Sequence, residues 1–356
     1  MKASKRKHHT PKTYARKQLL WSLLFVLIAS LSIYVVMQQG REFSLSRLMD
    51  FLGNSNPLWL IVAFISMLCF IGFEAVALLT LCRAFGYRQS ASRGILYSAG
   101  DIYFSAITPS ATGGQPVSAF FMVKDGMPAT VVTVILFANL LMYILAILAV
   151  GLFCFICFPE TYARFGSFSQ LLIIFGTFLQ FLLAGFFFLL LKREKLLHRI
   201  CRFFIRLLCK LRILKNEEAR LGKLSAYMVS YSEHSKLLSG HSKTLALIFV
   251  FNLLQRLSQI AVTMFIYLAS GGLGENALNF LALQGYVVLG SNVVPIPGAI
   301  GISDYLMLDG LSSIMSETAA VSVELVSRSF SFYICIIICG IITLMGYKSL
   351  KNRNKK

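Results

Sequence analysis

One stretch of this chain, Ser98–Lys124, constrains the fold more than any other, because it is apolar yet interrupted in its middle. The apolar residues before the interruption, Leu96–Thr108, number 13, and a helix of that length reaches about 20 Å against a hydrocarbon core of ~30 Å. Pro109 and the pair Gly113-Gly114 then break regular backbone hydrogen bonding, which lipid cannot replace. Such a stretch is viable in a membrane only where it is packed in protein or lines a wet cavity.

The composition indicates that the surrounding chain belongs in a membrane. Of 356 residues, 57% are hydrophobic and 14% are charged, and several segments of 18 or more residues carry few or no charges. A soluble protein of this composition would expose most of its apolar surface to water. We therefore expect an all-α fold, that of a polytopic helical membrane protein.

Basic residues are concentrated in three patches. Of 34 lysines and arginines, 7 precede residue 19, 13 lie in 192–243 and 5 follow Gly346. The positive-inside rule places these patches, and both termini, in the cytoplasm. Anionic lipid headgroups are the expected partner of such patches, and nucleic acid is a weaker alternative that we do not expect.

The apolar segments divide the chain into a basic tail (1–18), a membrane domain (19–346) and a second basic tail (347–356). We expect about six full spans, at Leu19–Met37, Leu58–Leu81, Thr130–Phe158, Gln170–Leu191, Thr244–Leu268 and Ser329–Gly346. Within the cytoplasmic loop 192–243, five basic residues recur every three or four positions among apolar ones: Lys195, Arg199, Arg202, Arg206 and Lys210. This pattern indicates a helix in the membrane interface or, equally, an extension of the preceding span.

A second broken stretch lies in the C-terminal half. Leu278–Leu289 is apolar, the residues SNVVPIPGAIG follow as Ser291–Gly301, and Tyr305–Met315 is apolar again. With the basic patches on one side, the first stretch must enter and leave from the cytoplasm and the second from outside. Two re-entrant hairpins of opposite orientation form the inverted repeat of secondary transporters, whose site lies at the midplane. Two short tilted crossings at each break are the alternative.

Four charged residues are expected at membrane depth: Glu74, Asp101, Arg256 and Asp304. An ionisable group there costs several kcal/mol unless it is paired or wet, so each one indicates a functional site. Arg256 is expected to bind a lipid phosphate, because a guanidinium matches phosphate oxygens bidentately. The alternative is a structural ion pair between Glu74 and Arg256.

The two breaks are expected to form headgroup-binding loops. In the first, backbone N–H groups would form an anion nest, with a plain tight loop as the alternative; its residues are Thr112, Gly113, Gly114 and Gln115. In the second, the candidate residues are Asn292, Pro295, Pro297, Gly298, Gly301 and Asp304. Asp304 can also cap the helix that begins after Gly301, and Arg328 is expected to reach the interface from the mouth of the last span.

The sequences at the two breaks, SAGDIYFSAITPSATGGQPVSAFFMVKDG and NVVPIPGAIGISDYLM, resemble the lysylphosphatidylglycerol synthetase transmembrane (flippase-like) family. That family is the membrane module of the multiple peptide resistance factor. The resemblance covers essentially all of 19–346, and its most specific part runs from Thr108 to Pro116. The family's second motif reads Pro-x-Pro-Gly-Gly-x-Gly followed by a glutamate. Here Ala299 replaces the second glycine, and Asp304 stands near the position of the glutamate.

The resemblance implies a flippase that moves an anionic or aminoacylated phospholipid, such as lysylphosphatidylglycerol, across a bacterial plasma membrane. Resistance to cationic antimicrobial peptides is the implied outcome. In full-length synthetases a cytosolic domain that lysylates phosphatidylglycerol follows the membrane module. The sequence given ends ten residues after the last expected span, so we do not expect the transferase step from these residues.

Two other functions are alternatives. A phosphatidylglycerol lysyltransferase-type enzyme would use 192–243 to bind tRNA or a lipid carrier phosphate, but this loop has no nucleophile–base pair. A membrane partner would dock a separate synthase or glycosyltransferase, although broken helices with buried charges are costly in a scaffold. We expect no catalytic residue, metal ion or cofactor, and a homo-oligomer is left open.

Overall fold

The computed structural model describes residues 45–108, 111–211, 216–292, 294, 296–299 and 301–353. The predicted span Leu19–Met37 and the prolines Pro109 and Pro295 lie outside the described residues. In chain order the helices are α1 (Leu45–Asn54), α2 (Pro57–Ala84), α3 (Ala91–Ile107), α4 (Gly114–Lys124), α5 (Ala129–Cys157), α6 (Pro159–Ala163), α7 (Ser167–Lys192), α8 (Glu194–Lys210), α9 (Glu217–Ser239), α10 (Ser242–Ala269), α11 (Ala277–Ser291), α12 (Ile302–Ser312), α13 (Glu317–Arg328) and α14 (Cys335–Arg353).

Five helices in the described part of the chain are long and apolar enough to cross a membrane. They are α2, α5, α7, α10 and a continuous helix, Glu317–Leu350, in which the π-helical turn Ser329–Ile334 joins α13 to α14. No strand occurs among the described residues. The prediction of an all-α polytopic membrane protein is confirmed.

The predicted start of the last span is wrong. We expected Ser329, but the helix begins twelve residues earlier, at Glu317, and it continues through Arg353 into the predicted basic tail. Charged residues lower the hydropathy of α13 and hide it from a search for apolar segments. Its apolar side is nevertheless buried, at Ala320, Val323 and Val326, which are spaced to share one helix face.

The central pair of helices, α2 and α10, runs antiparallel. At one end Asn56 N, which precedes α2, donates to the carbonyl of Ala269 at 2.8 Å. Further along, the Ser66 hydroxyl donates to the carbonyl of Ser258 at 2.8 Å. The start of α2 is fixed locally by Asn56, whose side chain accepts a hydrogen bond from Leu58 N at 3.0 Å, as an N-cap residue does.

Each helix of this pair is followed by a hairpin of two short helices. The first hairpin is α3 with α4, and the second hairpin is α11 with α12. Their helices have 17, 11, 15 and 11 residues, so at ~1.5 Å per residue they reach only about 16 to 25 Å. Because α2 and α10 are antiparallel and the connections to the hairpins are short, the hairpins begin at opposite ends of the pair.

The two arms of each hairpin pack directly on one another. In the first hairpin, Tyr97 near the start of α3 donates its hydroxyl to Asp125 just after α4, at 2.6 Å. The mouth of this hairpin is therefore closed at a single level, as expected for a re-entrant segment. In the second hairpin a Cβ on Gly310 would lie 3.0 Å from Leu283, and one on Gly290 would lie 2.8 Å from Leu306. Glycines thus allow α11 and α12 to approach closely.

Candidate functional site

Two of the predicted site residues, Glu74 on α2 and Asp101 on α3, lie together in the interior. They are 5% and 7% exposed, and their carboxyl groups contact each other. Glu74 Oε2 also accepts hydrogen bonds from Gln255 Nε2 at 3.1 Å and from Ser98 Oγ at 3.2 Å. The carboxyl group of Glu74 therefore joins α2, α3 and α10.

Asp101 holds the loop between the two arms of the first hairpin. Its Oδ2 accepts from Gln115 Nε2 at 2.8 Å, and its Oδ1 accepts from Ser105 Oγ at 3.2 Å. A Cβ on Gly114 would lie 1.9 Å from Asp101 Oδ1 and 2.5 Å from the Asp101 carbonyl oxygen. Glycine is therefore required where α4 begins, and the N-terminus of α4 faces a carboxyl group, as the helix dipole favours.

The anion nest stays a prediction, and one of its four N–H groups is already bonded within the loop. Gly113 N donates to the Thr108 hydroxyl at 2.8 Å, and that hydroxyl donates to the Phe104 carbonyl at 2.5 Å. Thr112 lies in the exposed part of the turn, while Gly114 is buried against Asp101. The pair Gly113-Gly114 suggested that both N–H groups were available to a ligand. The sequence did not show that the Thr108 hydroxyl would accept the hydrogen bond from Gly113 N.

Arg256 is buried near the middle of α10. It lies 14 residues after Ser242 and 13 before Ala269, and it is 3% exposed. Its guanidinium lies over the ring of Tyr143 at 4.6 Å from the ring centre, and Nη1 donates to Gln259 on the same helix. Arg256 Nε has no hydrogen-bond partner among the described residues.

The alternative of an ion pair between Glu74 and Arg256 is not found. Among the described residues, no salt bridge involves the side chain of Glu74 or of Arg256. Instead, the neutral residue Gln255 bonds to Glu74, and Tyr143 covers Arg256. Arg256 Nε, which has no partner among the described residues, is therefore left for another acceptor.

A polar ladder between α5 and α10 extends this site. Asn252 Nδ2 donates to Asn139 Oδ1 at 3.1 Å, and one turn further along both helices Tyr143 meets Arg256. Sequence reasoning missed the roles of Ser98, Tyr143 and Gln255. Helical spacing was the available signal, because Ser98 lies three residues before Asp101, and Asn139 lies four before Tyr143.

The predicted cap at the second break is confirmed, since Gly301 N donates to Asp304 Oδ2 at 2.8 Å. Asp304 Oδ1 also pairs with Arg328 Nη1 at 3.0 Å, and Arg328 Nη2 donates to the Gly298 carbonyl at 3.2 Å. The prediction that Arg328 reaches the interface is wrong, because its side chain is only 12% exposed. Arg328 lies inside a helix that begins earlier than predicted, and it holds the loop of the second hairpin.

Among the described residues of the second break, three have left-handed backbone. They are Gly298 (φ 62°), Ala299 (φ 51°) and Gly301 (φ 86°). The turn Pro297–Ala299 is a single 3₁₀ turn that contacts α3, so the second break reaches the first hairpin. Asn292 lies exposed at the end of α11. Ala299 occupies a conformation that favours glycine, at the position where the resembling motif has glycine.

The site therefore brings Glu74, Asp101 and Arg256 into one buried polar layer. Among the described residues, no hydrogen bond or salt bridge joins Asp304 to these three, and Asp304 belongs to the second break. The two hairpins begin at opposite ends of the antiparallel pair α2 and α10, and polar groups are buried between them. This arrangement defines a multi-pass membrane protein built around re-entrant helices.

Comparison with known families places the chain more closely. The family described as the lysylphosphatidylglycerol synthase TM region matches residues 17–339, and the chain belongs to that family. The resemblance inferred from the two breaks is thereby confirmed. No curated protein matches the chain.

Proposed function

We propose that the chain is a lipid translocase that moves an anionic or aminoacylated phospholipid, such as lysylphosphatidylglycerol, between leaflets. The observation that carries this proposal is the state of Arg256, which is buried in mid-span without a carboxylate partner among the described residues. A guanidinium at that depth is costly unless it serves a polar ligand. Its planar set of donors matches phosphate oxygens.

The neighbouring acids fit the remainder of an aminoacylated headgroup. Such a headgroup carries an ammonium group beside its phosphate. Glu74 and Asp101 supply carboxyl oxygens for the ammonium, and Arg256 supplies donors for the phosphate. Gln115 Oε1 and Gln255 Oε1 are buried and have no hydrogen-bond partner among the described residues, so each provides a further acceptor whose burial would otherwise cost about 1–3 kcal/mol.

The two breaks are proposed as the gates of this path. The first break (112–115) closes over Asp101, and Arg328 and Asp304 hold the second break at Gly298 and Gly301. Since the hairpins begin at opposite ends of α2 and α10, each gate would control access from a different leaflet. We propose that both termini lie in the cytoplasm of a bacterial cell, as the basic patches favour.

The proposal is tested by reconstituting the chain into vesicles that contain lysylphosphatidylglycerol. A membrane-impermeant amine reagent reports how fast the inner-leaflet lipid reaches the outer leaflet. We expect Arg256→Gln to slow this movement about tenfold or more, a change of about 1.4 kcal/mol in the barrier. Arg83→Gln is the matched control, because Arg83 is exposed in the last turn of α2.

Equal rates for Arg256→Gln and the wild-type chain would overturn the proposal. So would a wild-type rate no higher than that of protein-free vesicles. The same vesicles, supplied with lysyl-tRNA and phosphatidylglycerol, test the enzyme alternative. Lysine transfer to lipid without any change in leaflet exposure would favour a transferase over a translocase.

A further inference from the structure

The basic loop between α7 and α10 forms two helices whose surface the proposed function does not use. α7 ends at Lys192, Arg193 leaves helical geometry (φ −118°, ψ 78°), and α8 begins at Glu194. This break favours a separate helix over an extension of the preceding span. Because α8 starts two residues after a membrane-crossing helix ends, it lies at the level of the lipid headgroups.

One face of α8 is fixed to the rest of the protein. Leu197 is buried, in the same apolar cluster as Met228 and Tyr231 of α9. Tyr231 in turn donates its hydroxyl to the Leu190 carbonyl near the end of α7, at 3.1 Å. α8 is therefore held in one orientation, and its other faces point away from the core.

A second face of α8 is apolar and exposed. Four large side chains on α8 and at its C-cap, Leu211, are 38% to 61% exposed: Phe203, Phe204, Leu207 and Leu211. They follow one another over two turns and form a continuous strip. Exposed apolar strips of this kind mark surfaces that bind a partner or a membrane.

The third face of α8 is a narrow basic stripe beside the apolar strip. It consists of five exposed residues: Lys195, Arg199, Arg202, Arg206 and Lys210. At 3.6 residues per turn they fall within an arc of about 80°, and Phe203 lies about 20° beyond its edge. One acid on α9, Glu217, pairs with Arg206 at 3.5 Å, which leaves most of the stripe without a carboxylate partner among the described residues.

We propose that α8 lies in the interface of an anionic leaflet, with the strip inserted among the acyl chains and the stripe on lipid phosphates. An apolar strip flanked by arginines is the arrangement by which interfacial helices bind anionic membranes. The adjacent span already holds α8 at the membrane surface. Nucleic acid would match the charge of the stripe, but it has no apolar surface to cover Leu207 and Leu211. The proposal stands independently of lipid translocation.

The test uses the full chain in nanodiscs and the variant Phe203→Trp. Its fluorescence is read as the difference from the wild-type chain, which contains Trp21 and Trp59. We expect phospholipids brominated near the headgroup to quench the added tryptophan by about half when phosphatidylglycerol is present. Quenching should fall in pure phosphatidylcholine. Leu207→Trp provides the same readout if Phe203→Trp does not fold.

Val229→Trp is the matched control, because Val229 on α9 is 62% exposed and lies outside the strip. Its quenching should not depend on phosphatidylglycerol. Adding Arg199→Gln and Arg202→Gln to Phe203→Trp should raise the phosphatidylglycerol content needed for quenching. Equal quenching at positions 203 and 229 would overturn the proposal. So would protection of position 203 from a soluble quencher by tRNA but not by phosphatidylglycerol.

Discussion

The two hairpins hold their loops by different chemistry. In the first hairpin, the neutral side chain of Gln115 bonds to Asp101, whose carboxyl group also contacts Glu74. In the second hairpin, the acid is Asp304, and Arg328 from a different helix neutralises it at 3.0 Å. The acid of the first hairpin therefore holds its loop and also faces the polar layer, whereas the acid of the second holds a loop and caps α12.

Because of this difference, we expect the loops of the two hairpins to respond to different changes elsewhere in the protein. The first is fastened within itself, at its loop by Asp101 and at its mouth by Tyr97 with Asp125. The second is fastened from outside, because Arg328 belongs to the long C-terminal helix. A shift of that helix would pull directly on the second loop, while the first loop would follow changes at the acids.

The largest expected difference between the two loops is in the loss of stability when a glycine in each is replaced by alanine. Gly114→Ala would place a methyl group 1.9 Å from Asp101 Oδ1 and 2.5 Å from backbone, so it should cost about 3 kcal/mol or more. At Gly301 a Cβ meets nothing within 4 Å, and only the positive φ of 86° opposes it. Gly301→Ala should therefore cost less, about 1–2 kcal/mol. Unfolding in detergent measures both.

The control is Gly185→Ala on α7, where a Cβ also meets nothing within 4 Å and φ is not positive. This variant should be as stable as the wild-type chain or more so. If Gly114→Ala were no less stable than Gly301→Ala, the close packing of the first loop on Asp101 would be refuted.

Double-mutant cycles on the two buried salt bridges should give the next largest effect. Arg328→Gln with Asp304→Asn should show a coupling of about 2 kcal/mol, because the pair is close and mostly buried. Arg93 and Asp125, at the mouth of the first hairpin, are 3.6 Å apart, and Tyr97 bonds to Asp125 as well. Because this distance is longer and Tyr97 shares the carboxylate, their coupling should be smaller, about 0.5–1 kcal/mol. Equal couplings would remove the distinction drawn between the hairpins.

Neutralising each acid tests which one acts on the lipid. Asp101→Asn should slow translocation about tenfold, or ~1.4 kcal/mol, because it removes a carboxylate from the polar layer while preserving shape. Asp304→Asn should mainly lower stability, and the rate per folded molecule should change little. Translocation rates and unfolding midpoints of the same preparations measure this. A larger loss of rate for Asp304→Asn than for Asp101→Asn would reverse the assignment.

Apart from the start of the last span, the sequence predicted the spans in the described part of the chain and both hairpins, because apolar length and proline–glycine breaks are local signals. The inverted repeat inferred from the sequence also predicted that Glu74, Asp101 and Arg256 lie at the same level. The sequence could not predict that Gln255 rather than Arg256 would bond to Glu74. Adjacent residues on a helix differ by about 100° in direction, and helix rotation is set by packing.

The ion pair between Arg328 and Asp304 is a second contact that the sequence could not predict. The helix that carries Arg328 looked too polar to begin at Glu317, since hydropathy cannot distinguish a charge that meets lipid from one that meets a partner. The partner, Asp304, lies 24 residues earlier, and the sequence assigned it to headgroup binding or to a helix cap, not to an ion pair. A pair of this kind becomes visible only when the loop between the helices is folded.

The smallest expected effect concerns an alanine that each loop holds in the left-handed region. They are Ala111 (φ 53°) in the first break and Ala299 (φ 51°) in the second. The left-handed conformation costs an L-residue about 1–2 kcal/mol, which glycine avoids. Glycine also makes the unfolded chain more flexible, which lowers the stability by about 0.4–1 kcal/mol. Ala111→Gly and Ala299→Gly should therefore each stabilise the protein, by about 0.5 kcal/mol. Unfolding of each variant beside the wild-type chain gives the measurement.

These two substitutions also compare the loops on equal terms, because the side chain removed is the same and only the surroundings differ. Similar gains would mean that the hairpins share one backbone turn and differ only in how their acids are partnered. A gain at Ala111 with a loss at Ala299 would mean that the Ala299 methyl group packs usefully near Arg328. In that event the departure from the family's glycine would be a stabilising feature of the second loop.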